Sequence, residues 1–143
     1  MLKTISTIKE RLVQMKKYIL IGIFGMGGAI CRYGIGQLFN ESSPWGTLIV
    51  NLTGCFLLPF IFVFLREIGI FSKELVTAIG TGFIGAFTTF STFTMDIIKL
   101  TDHGKITMAV IYLFISLAGG LIAAAVSVTL SNLAVAKYIK KED

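Results

Sequence analysis

Residues 85–94 read Gly-Ala-Phe-Thr-Thr-Phe-Ser-Thr-Phe-Thr, inside an apolar segment that is otherwise long enough to cross a bilayer. Six of these ten residues are glycine or carry a hydroxyl group, so the stretch is polar where lipid is least tolerant of polarity. Irregular backbone survives at that depth only where protein surrounds it or where it lines a cavity. Phe87, Phe90 and Phe93 recur at every third residue. We therefore expect a broken helix whose carbonyls, hydroxyls and aromatic rings outline an ion path.

The chain around this stretch has the composition of an all-α membrane protein. Its 143 residues are 55% hydrophobic, with a mean hydropathy of +0.83, which is more apolar than a soluble domain of this size requires. A transmembrane helix needs about 20 apolar residues, and four segments qualify, over approximately 18–38, 45–65, 75–98 and 106–132. Short connections predict an up-down-up-down bundle. Because one such protomer has little interior for a pore, we expect it to oligomerise.

The two ends differ from the four-helix subunit, which we place at residues 15–136. Residues 137–143 form a basic C-terminal tail, and residues 1–14 form an N-terminal extension with basic residues and one apolar helical face. That face is compatible with an interfacial amphipathic helix, which is one of two readings. The alternative is that Met15-Lys16-Lys17 is the usual start and that residues 1–14 are an upstream extension. We expect no cleavable signal peptide, because the first apolar run continues directly into a full span. The apolar face comprises Ile5, Ile8, Leu12 and Met15, and the basic residues of the extension are Lys3, Lys9 and Arg11.

Basic residues outside the spans are distributed unequally. An even number of spans places both termini and the 66–74 loop on one side, which carries ten Lys and Arg residues, whereas the other side carries Lys99 and Lys105 only. In a membrane protein this net charge of +5 reports orientation and not nucleic-acid binding. The bias predicts cytoplasmic termini.

Several polar residues within the spans have two readings each. Arg32 either faces protein or water as a functional residue, or snorkels to the interface from a site near the helix end. Asn51, four residues after Thr47, either joins helices or faces a pore. Tyr112 either presents its phenol to a pore or anchors the helix at the interface.

Four other features concern packing. Asp96 is able to pair with Lys99 at the i,i+3 spacing. Pro59 is expected to kink the second helix. Ala78, Gly82 and Ala86 form a face of small residues for tight helix crossing. Cys31 and Cys55 are read as small core residues and not as a disulfide or metal site.

With these residues in view, the chain resembles the Fluc/CrcB family of fluoride channels over residues 16–136. The resemblance rests on Gly-Gly-Ala-Ile-Cys-Arg-Tyr at 27–33, Gly-Thr-Leu-Ile-Val-Asn-Leu-Thr-Gly-Cys-Phe at 46–56, and Gly-Ala-Phe-Thr-Thr-Phe-Ser-Thr-Phe at 85–93. It implies a passive, fluoride-selective channel subunit, not an enzyme, in the plasma membrane of a prokaryote. It also implies a broken third helix and an antiparallel pair of subunits with two pores at their interface.

The resemblance assigns roles to individual residues. The carbonyls of Gly85 and Thr88 would hold a structural Na⁺ on the two-fold axis, and Arg32 would lie near an aqueous vestibule. Ring edges and polar donors would line the pores, with the hydroxyl groups replacing part of the hydration shell of fluoride. These expected pore residues are Phe90, Phe93, Asn51, Thr47, Thr89, Ser91, Thr92, Tyr112 and Ser116.

Two departures from the family pattern are visible. Pro59 replaces a small residue, usually glycine, so the local packing of the second helix is in question. Gly120 and Ala124 stand where relatives can show hydroxyl groups, which predicts a shorter polar track along the fourth helix.

Two other classes of function remain open on the sequence alone. A small multidrug-type transporter needs a carboxylate within the membrane, and Asp96 is the candidate. A non-conducting assembly subunit would use the glycine-rich faces but would leave the Phe/Thr/Ser stretch unexplained. The partner is equally open, because the charge bias favours one half of a heterodimer with an oppositely oriented homologue, whereas a dual-topology homodimer would have to tolerate that bias.

Overall fold

The computed structural model describes residues 2–39 and 43–142, and every regular element within them is a helix. Met1 of the predicted extension and Asp143 of the predicted tail lie outside the described residues, as do the side chains of residues 2–7, 9, 10, 141 and 142. The elements in chain order are α1 (Leu2–Gln37), α2 (Trp45–Phe60), a π-helical segment π1 (Ile61–Leu65), α3 (Lys73–Thr77), a second π-helical segment π2 (Ala78–Ile84), α4 (Gly85–Phe87), α5 (Phe90–Asp102) and α6 (Ile106–Glu142).

Four of these helical runs are long and apolar enough to span a membrane, as the sequence predicts. They cover Arg11–Gln37, Trp45–Leu65, Lys73–Asp102 and Ile106–Lys140. The last was predicted to end near residue 132, but its helix continues to Glu142, because a run of helix-forming residues extends past the apolar part. The chain is therefore a multi-pass membrane protein of the all-α class.

The first span packs against the third at very short range. A Cβ atom added to Gly28 would overlap the carbonyl of Phe83, and one added to Gly82 would lie 2.5 Å from the carbonyl oxygen of Ile21. Backbone therefore meets backbone at this crossing, which requires glycine on both helices. The predicted small-residue face that includes Gly82 is confirmed.

Pro59 lies within α2 without ending it. The helix continues through Phe60 and then changes to π1, so the missing amide of proline is followed by a widened turn. The buried Ser127 of α6 donates its hydroxyl to the carbonyl of Phe56 at 2.5 Å, in the turn that precedes the proline. The fourth span thus supports the second where its own hydrogen-bond ladder is weakened.

The apolar core is divided into two clusters that lie on either side of the interruption between α4 and α5. One cluster contains Leu48, Phe93, Leu100, Ala109 and Tyr112. The other contains Ile61, Val76 and Ile84 and lies nearer the terminal side. The interruption is thereby held between two packed regions.

Cys31 is exposed on the surface of the protomer, so its reading as a core residue was wrong. Cys55 is half-buried, and both thiols are free.

Candidate functional site

The third span is interrupted at two residues. Thr88 (φ −82°, ψ 159°) and Thr89 (φ −151°, ψ 125°) have extended backbone between α4 and α5. Thr88 still closes the end of α4, because its amide donates to the carbonyl of Ile84 at 3.0 Å and its hydroxyl donates to the same oxygen at 3.1 Å. Thr89 begins α5, because its hydroxyl oxygen accepts from the amide of Thr92 at 3.2 Å. The two threonines therefore supply the end of one helix and the start of the next.

The side chain of Asn51 holds the interruption from the second span. Its Nδ2 donates to the carbonyl of Thr89 at 2.9 Å, and its Oδ1 accepts from the amide of Thr89 at 2.8 Å. One amide side chain thus satisfies both backbone groups of an extended residue, which in lipid would otherwise lack partners. The second hydrogen of Nδ2 is not used in this pair.

These bonds deprive two carbonyls of their usual partners. In a continuous helix the carbonyl of Gly85 would accept from the amide of Thr89, and that of Thr88 from the amide of Thr92. Here the first amide donates to Asn51 and the second donates to the hydroxyl of Thr89. The carbonyls of Ala86 and Phe87 also lose their helical donors, because the amides of Phe90 and Ser91 belong to the first turn of α5. Several backbone acceptors on one short segment, those of Gly85 and Thr88 among them, are therefore left available for another donor or for a cation.

Two glycines beside the interruption differ in what they allow. A Cβ atom added to Gly54 of α2 would overlap Cγ2 of Thr88, so glycine is needed there for α2 to approach the interruption. A Cβ atom added to Gly85 would meet no atom within 4 Å, and Gly85 is exposed in the protomer. The face that carries Gly85 is open.

An open cavity of about 520 Å³ lies against the interruption. None of the described residues that line it is charged, so its polar character comes from an amide, hydroxyls, a thiol and backbone. Its lining consists of Asn51, Gly54, Cys55, Leu58, Ile84, Gly85, Thr88, Thr89, Phe90, Phe93, Ser116 and Leu117.

Aromatic rings lead from this cavity toward the end of the bundle opposite the termini. Phe90 is 80% exposed in the protomer, and Phe93 is 7% exposed. Their ring centroids are 5.8 Å apart, and those of Phe93 and Tyr112 are 5.3 Å apart, both in tilted arrangements. Tilted rings present an electropositive edge to a neighbour.

Tyr112 continues this line with a polar contact. Its hydroxyl donates to Oδ2 of Asp96 at 3.3 Å, and the side chain of Thr47 contacts the same phenol. Asp96, Tyr112 and Thr47 are all buried. The alternative that Asp96 pairs with Lys99 was wrong, because the first turns of α6 bring a buried donor to Asp96 while Lys99 lies on the exposed side of α5.

The structure brings together most, but not all, of the residues predicted for the site. Seven line the cavity, namely Asn51, Gly85, Thr88, Thr89, Phe90, Phe93 and Ser116. The hydroxyl of Ser116 is buried and has no hydrogen-bond partner within the described part of the chain. Thr47 and Tyr112 lie farther along the aromatic line.

Besides Thr47 and Tyr112, three further predicted residues lie outside the cavity lining. Ser91 and Thr92 are exposed in the first turn of α5, where their hydroxyls lie 3.2 and 3.1 Å from that of Thr89. Arg32 is partly buried on α1 and does not line the cavity.

Sequence reasoning missed Cys55 and Gly54 as parts of the site. Cys55 follows Asn51 by four residues, so the helical period places both on one face of α2, and that signal was available. A Cβ atom added to Gly120 of α6 would lie 3.3 Å from the sulfur of Cys55, so the absence of a side chain at 120 makes room for the thiol. The need for Gly54 was not predictable, because it depends on the rotamer of Thr88.

Comparison with known families gives one match over most of the chain. Residues 19–128 match the family described as CrcB-like protein, Camphor Resistance (CrcB).

Individual relatives agree with this match. A protein of Bacillus cereus (strain ATCC 10987 / NRS 248) named fluoride-specific ion channel FluC 1 is 39% identical over 130 residues, covering 88% of this chain and 95% of the relative. Fluoride-specific ion channel FluC 2 of Listeria innocua serovar 6a is 49% identical over 106 residues, covering 73% of this chain and 82% of the relative. The FluC 2 protein of Listeria monocytogenes serovar 1/2a is 47% identical over 116 residues, covering 80% and 90%.

Proposed function

Because this chain belongs to the CrcB-like family of ion channels, which are not enzymes, we propose that it is a subunit of a passive, fluoride-selective channel. The observation that carries the proposal is the uncharged cavity at the interrupted third span, lined by an amide, hydroxyls and two phenylalanine rings. A helix interruption at membrane depth is tolerated where it lines a path or is enclosed by protein. On its open side, the interruption at Thr88 and Thr89 lines the cavity, which we propose to be part of the ion path.

The lining suits a small, strongly hydrated anion. Aromatic edges attract an anion without offering a full positive charge. Conduction requires sites that are favourable enough to enter and weak enough to leave, and a lysine in the same place would hold the ion too long. The free hydrogen of Asn51 Nδ2 and the unpartnered hydroxyl of Ser116 are donors that replace part of the hydration shell. A narrow passage lined by these rings in the assembled channel would disfavour larger halides.

We propose that a structural Na⁺ is bound by the carbonyls of Gly85 and Thr88. Both lack their helical donors, and oxygen atoms of interrupted helices are known ligands for Na⁺ in membrane transporters. The exposed position of Gly85 suits a site shared with a second subunit. The ion would neutralise the carbonyl ends of α4 and would make the field beside the cavity positive for an anion.

The open side of the cavity is the reason to propose a pair of subunits. Phe90 is 80% exposed, and a large ring at the mouth of a polar cavity needs a second wall. An antiparallel partner related by a two-fold axis through the carbonyls would close the cavity of this subunit, and this subunit would close the cavity of the partner, so that two pores form.

We propose a heterodimer with a homologue of opposite charge bias, since ten basic residues lie on the terminal side against two on the other. A dual-topology homodimer is the alternative.

From the same bias we propose that both termini lie in the cytoplasm. We further propose that the channel resides in the plasma membrane of a prokaryotic cell. Neutral hydrogen fluoride enters unaided and dissociates in a less acidic cytoplasm. An inside-negative potential then drives the trapped anion outward with about 2.3 kcal/mol per charge for each 100 mV. Passive export is the expected direction.

The function is tested with liposomes loaded with fluoride and containing the purified protein, alone and with the partner that copurifies. Fluoride should leave through the protein in seconds, while chloride and a cationic dye are retained. Dye efflux coupled to protons would indicate a multidrug-type carrier, and retention of all three solutes by both preparations would indicate a non-conducting assembly subunit.

A further inference from the structure

α1 is longer than a bilayer requires. Its 36 residues span about 54 Å, whereas the hydrocarbon core is about 30 Å thick. The first candidate span begins at Arg11 and, at 27 residues, is longer than the hydrocarbon core requires. With Lys16 and Lys17 at the headgroup level, Tyr18–Gln37 fill the hydrocarbon and the preceding turns lie outside it on the terminal side. The family match begins at residue 19 and does not include these turns.

One face of α1 is apolar and exposed on both sides of that level. At about 100° per residue, its members fall within an arc of about 80°. Each side chain is between 53% and 70% exposed, and they are Ile8, Leu12, Met15, Ile19, Ile23, Met26, Ile30 and Tyr33. The five from Ile19 onward lie on the side of α1 that the protomer leaves exposed, opposite the glycine-containing face that packs against π2 and α4, and this is the side that would meet lipid around the protomer. Ile8, Leu12 and Met15 continue the same stripe in register beyond the hydrocarbon.

Because Ile8, Leu12 and Met15 lie on the same side of α1 as its exposed apolar residues within the membrane, the outer turns can bury these side chains in one direction of bending only. When a helix bends away from its bundle at the membrane surface, the face that was turned toward lipid rotates downward onto the bilayer. The stripe at Ile8, Leu12 and Met15 is that face. A stripe on any other side would point along the surface or into water.

The charges flank the stripe in the way that membrane-surface helices require. Arg11 lies about 80° to one side of its centre and Lys16 about 60° to the other, while Gln14 lies about 140° away, near the opposite face. Arg11, Gln14 and Lys16 are exposed. Basic residues at the edges of an apolar face allow their stems to lie on lipid while their charges reach anionic headgroups.

α1 is continuous from Leu2 to Gln37. We propose that in the membrane it bends near Lys16 and Lys17, and that residues 8–17 bind the anionic lipid surface of the leaflet on the terminal side, with Ile8, Leu12 and Met15 inserted and Arg11 and Lys16 on the headgroups. Each basic residue near an anionic leaflet strengthens binding by about fivefold. Because the segment is tethered to a transmembrane helix, binding is intramolecular and needs no high intrinsic affinity. This proposal does not depend on the transported ion.

The test uses the full-length protein with an environment-sensitive maleimide dye at Leu12→Cys, matched by Gln14→Cys on the polar face. Labelled parent protein provides the background from Cys31 and Cys55. The proteins are reconstituted in phosphatidylcholine alone and in equal parts phosphatidylcholine and phosphatidylglycerol. In the anionic vesicles, dye at position 12 should emit at shorter wavelength and be several-fold less accessible to iodide than dye at position 14.

Two further measurements identify what covers the stripe. The paired substitutions Arg11→Gln and Lys16→Gln should lower the bound-to-free ratio by about 25-fold, and high salt should lower it in the same direction. Equal quenching at positions 12 and 14 in both vesicles would overturn the proposal, because the segment would then stand in water. Protection at position 12 that rises with protein density at fixed lipid charge would overturn it in favour of a second copy, and protection that needs an added soluble acidic protein would overturn it in favour of that partner.

Discussion

Among single residues, Asn51 combines two features that the sequence left as alternatives, namely contact between helices and a position beside an open cavity. Its amide oxygen and one amide hydrogen are bonded to Thr89, so the residue does join helices. It also lines the cavity with one hydrogen unused, so it is available to an anion. The sequence could place a polar residue here, but not its partner, because an extended residue 38 positions away has no local signature.

Replacing Asn51 by alanine should loosen the interruption and lower fluoride flux together. Two buried backbone groups lose their partners, at a cost of about 1–3 kcal/mol each. Efflux from liposomes measures the flux, and thermal unfolding in detergent measures the stability. The control is Thr53→Ala on the exposed side of the same helix, which should change neither.

Asn51→Asp distinguishes the two roles within one side chain. It keeps an acceptor for the amide of Thr89 but loses the donor and adds negative charge beside the anion. Flux should therefore fall more than stability does. Wild-type flux in both Asn51 variants would show that Asn51 contributes to structure and not to conduction.

Phe93→Ile and Phe90→Ile should each lower fluoride flux by on the order of tenfold or more, the effect of about 1.4 kcal/mol on a barrier. Isoleucine keeps the apolar volume but removes the electropositive ring edge. The matched control is Phe114→Ile, a ring 65% exposed on α6 away from the cavity lining. Normal flux in both pore variants, with correct assembly, would remove the rings from the conduction path.

Among the elements, the interruption of the third span was predictable from its unusual composition, whereas its π-helical segment was not, because no residue type marks it. Hydroxyl residues and glycine in an apolar segment indicated an interruption, and it lies at Thr88 and Thr89. The π-helical segments had no comparable signal in the sequence. A change from i,i+4 to i,i+5 hydrogen bonds alters the spacing of apolar residues only slightly over one turn. Pro59 predicted a disturbance in α2, but its support from Ser127 depends on tertiary packing.

The proposed Na⁺ site makes a prediction at this scale. Prolonged exchange of Na⁺ for a bulky organic cation such as N-methylglucamine should inactivate the channel or separate its subunits. The carbonyls of Gly85 and Thr88 would then face each other across a dry interface without a partner. Flux and gel-filtration volume are followed during dialysis, with readdition of Na⁺ as the control. Full activity after complete exchange would contradict a structural cation there.

At the scale of the whole molecule, composition was sufficient for the number of spans and for the class of fold. It could not determine which surfaces meet a partner, because lipid-facing and subunit-facing positions are both apolar. Phe90 illustrates this, since its ring is more exposed in the protomer than most lipid-facing residues are. Only the open cavity beside it favours a protein partner.

The charge bias predicts a single orientation. A cysteine appended to the C-terminus should be protected from a membrane-impermeant maleimide in intact cells and labelled after permeabilisation. A cysteine placed in the 103–105 loop is the control and should give the opposite pattern. Labelling of a substantial fraction of C-termini in intact cells would refute a fixed orientation and support the dual-topology homodimer.

Passive, selective conduction of fluoride by this protein can be measured as a reversal potential in a planar bilayer. The assembly that copurifies with the tagged chain is inserted between solutions with a tenfold fluoride gradient and an opposing chloride gradient. We expect a current that reverses at the fluoride equilibrium potential, which shifts by about 59 mV for each tenfold change in the gradient. A reversal potential that follows chloride or protons, or an assembly that carries no fluoride current, would contradict it.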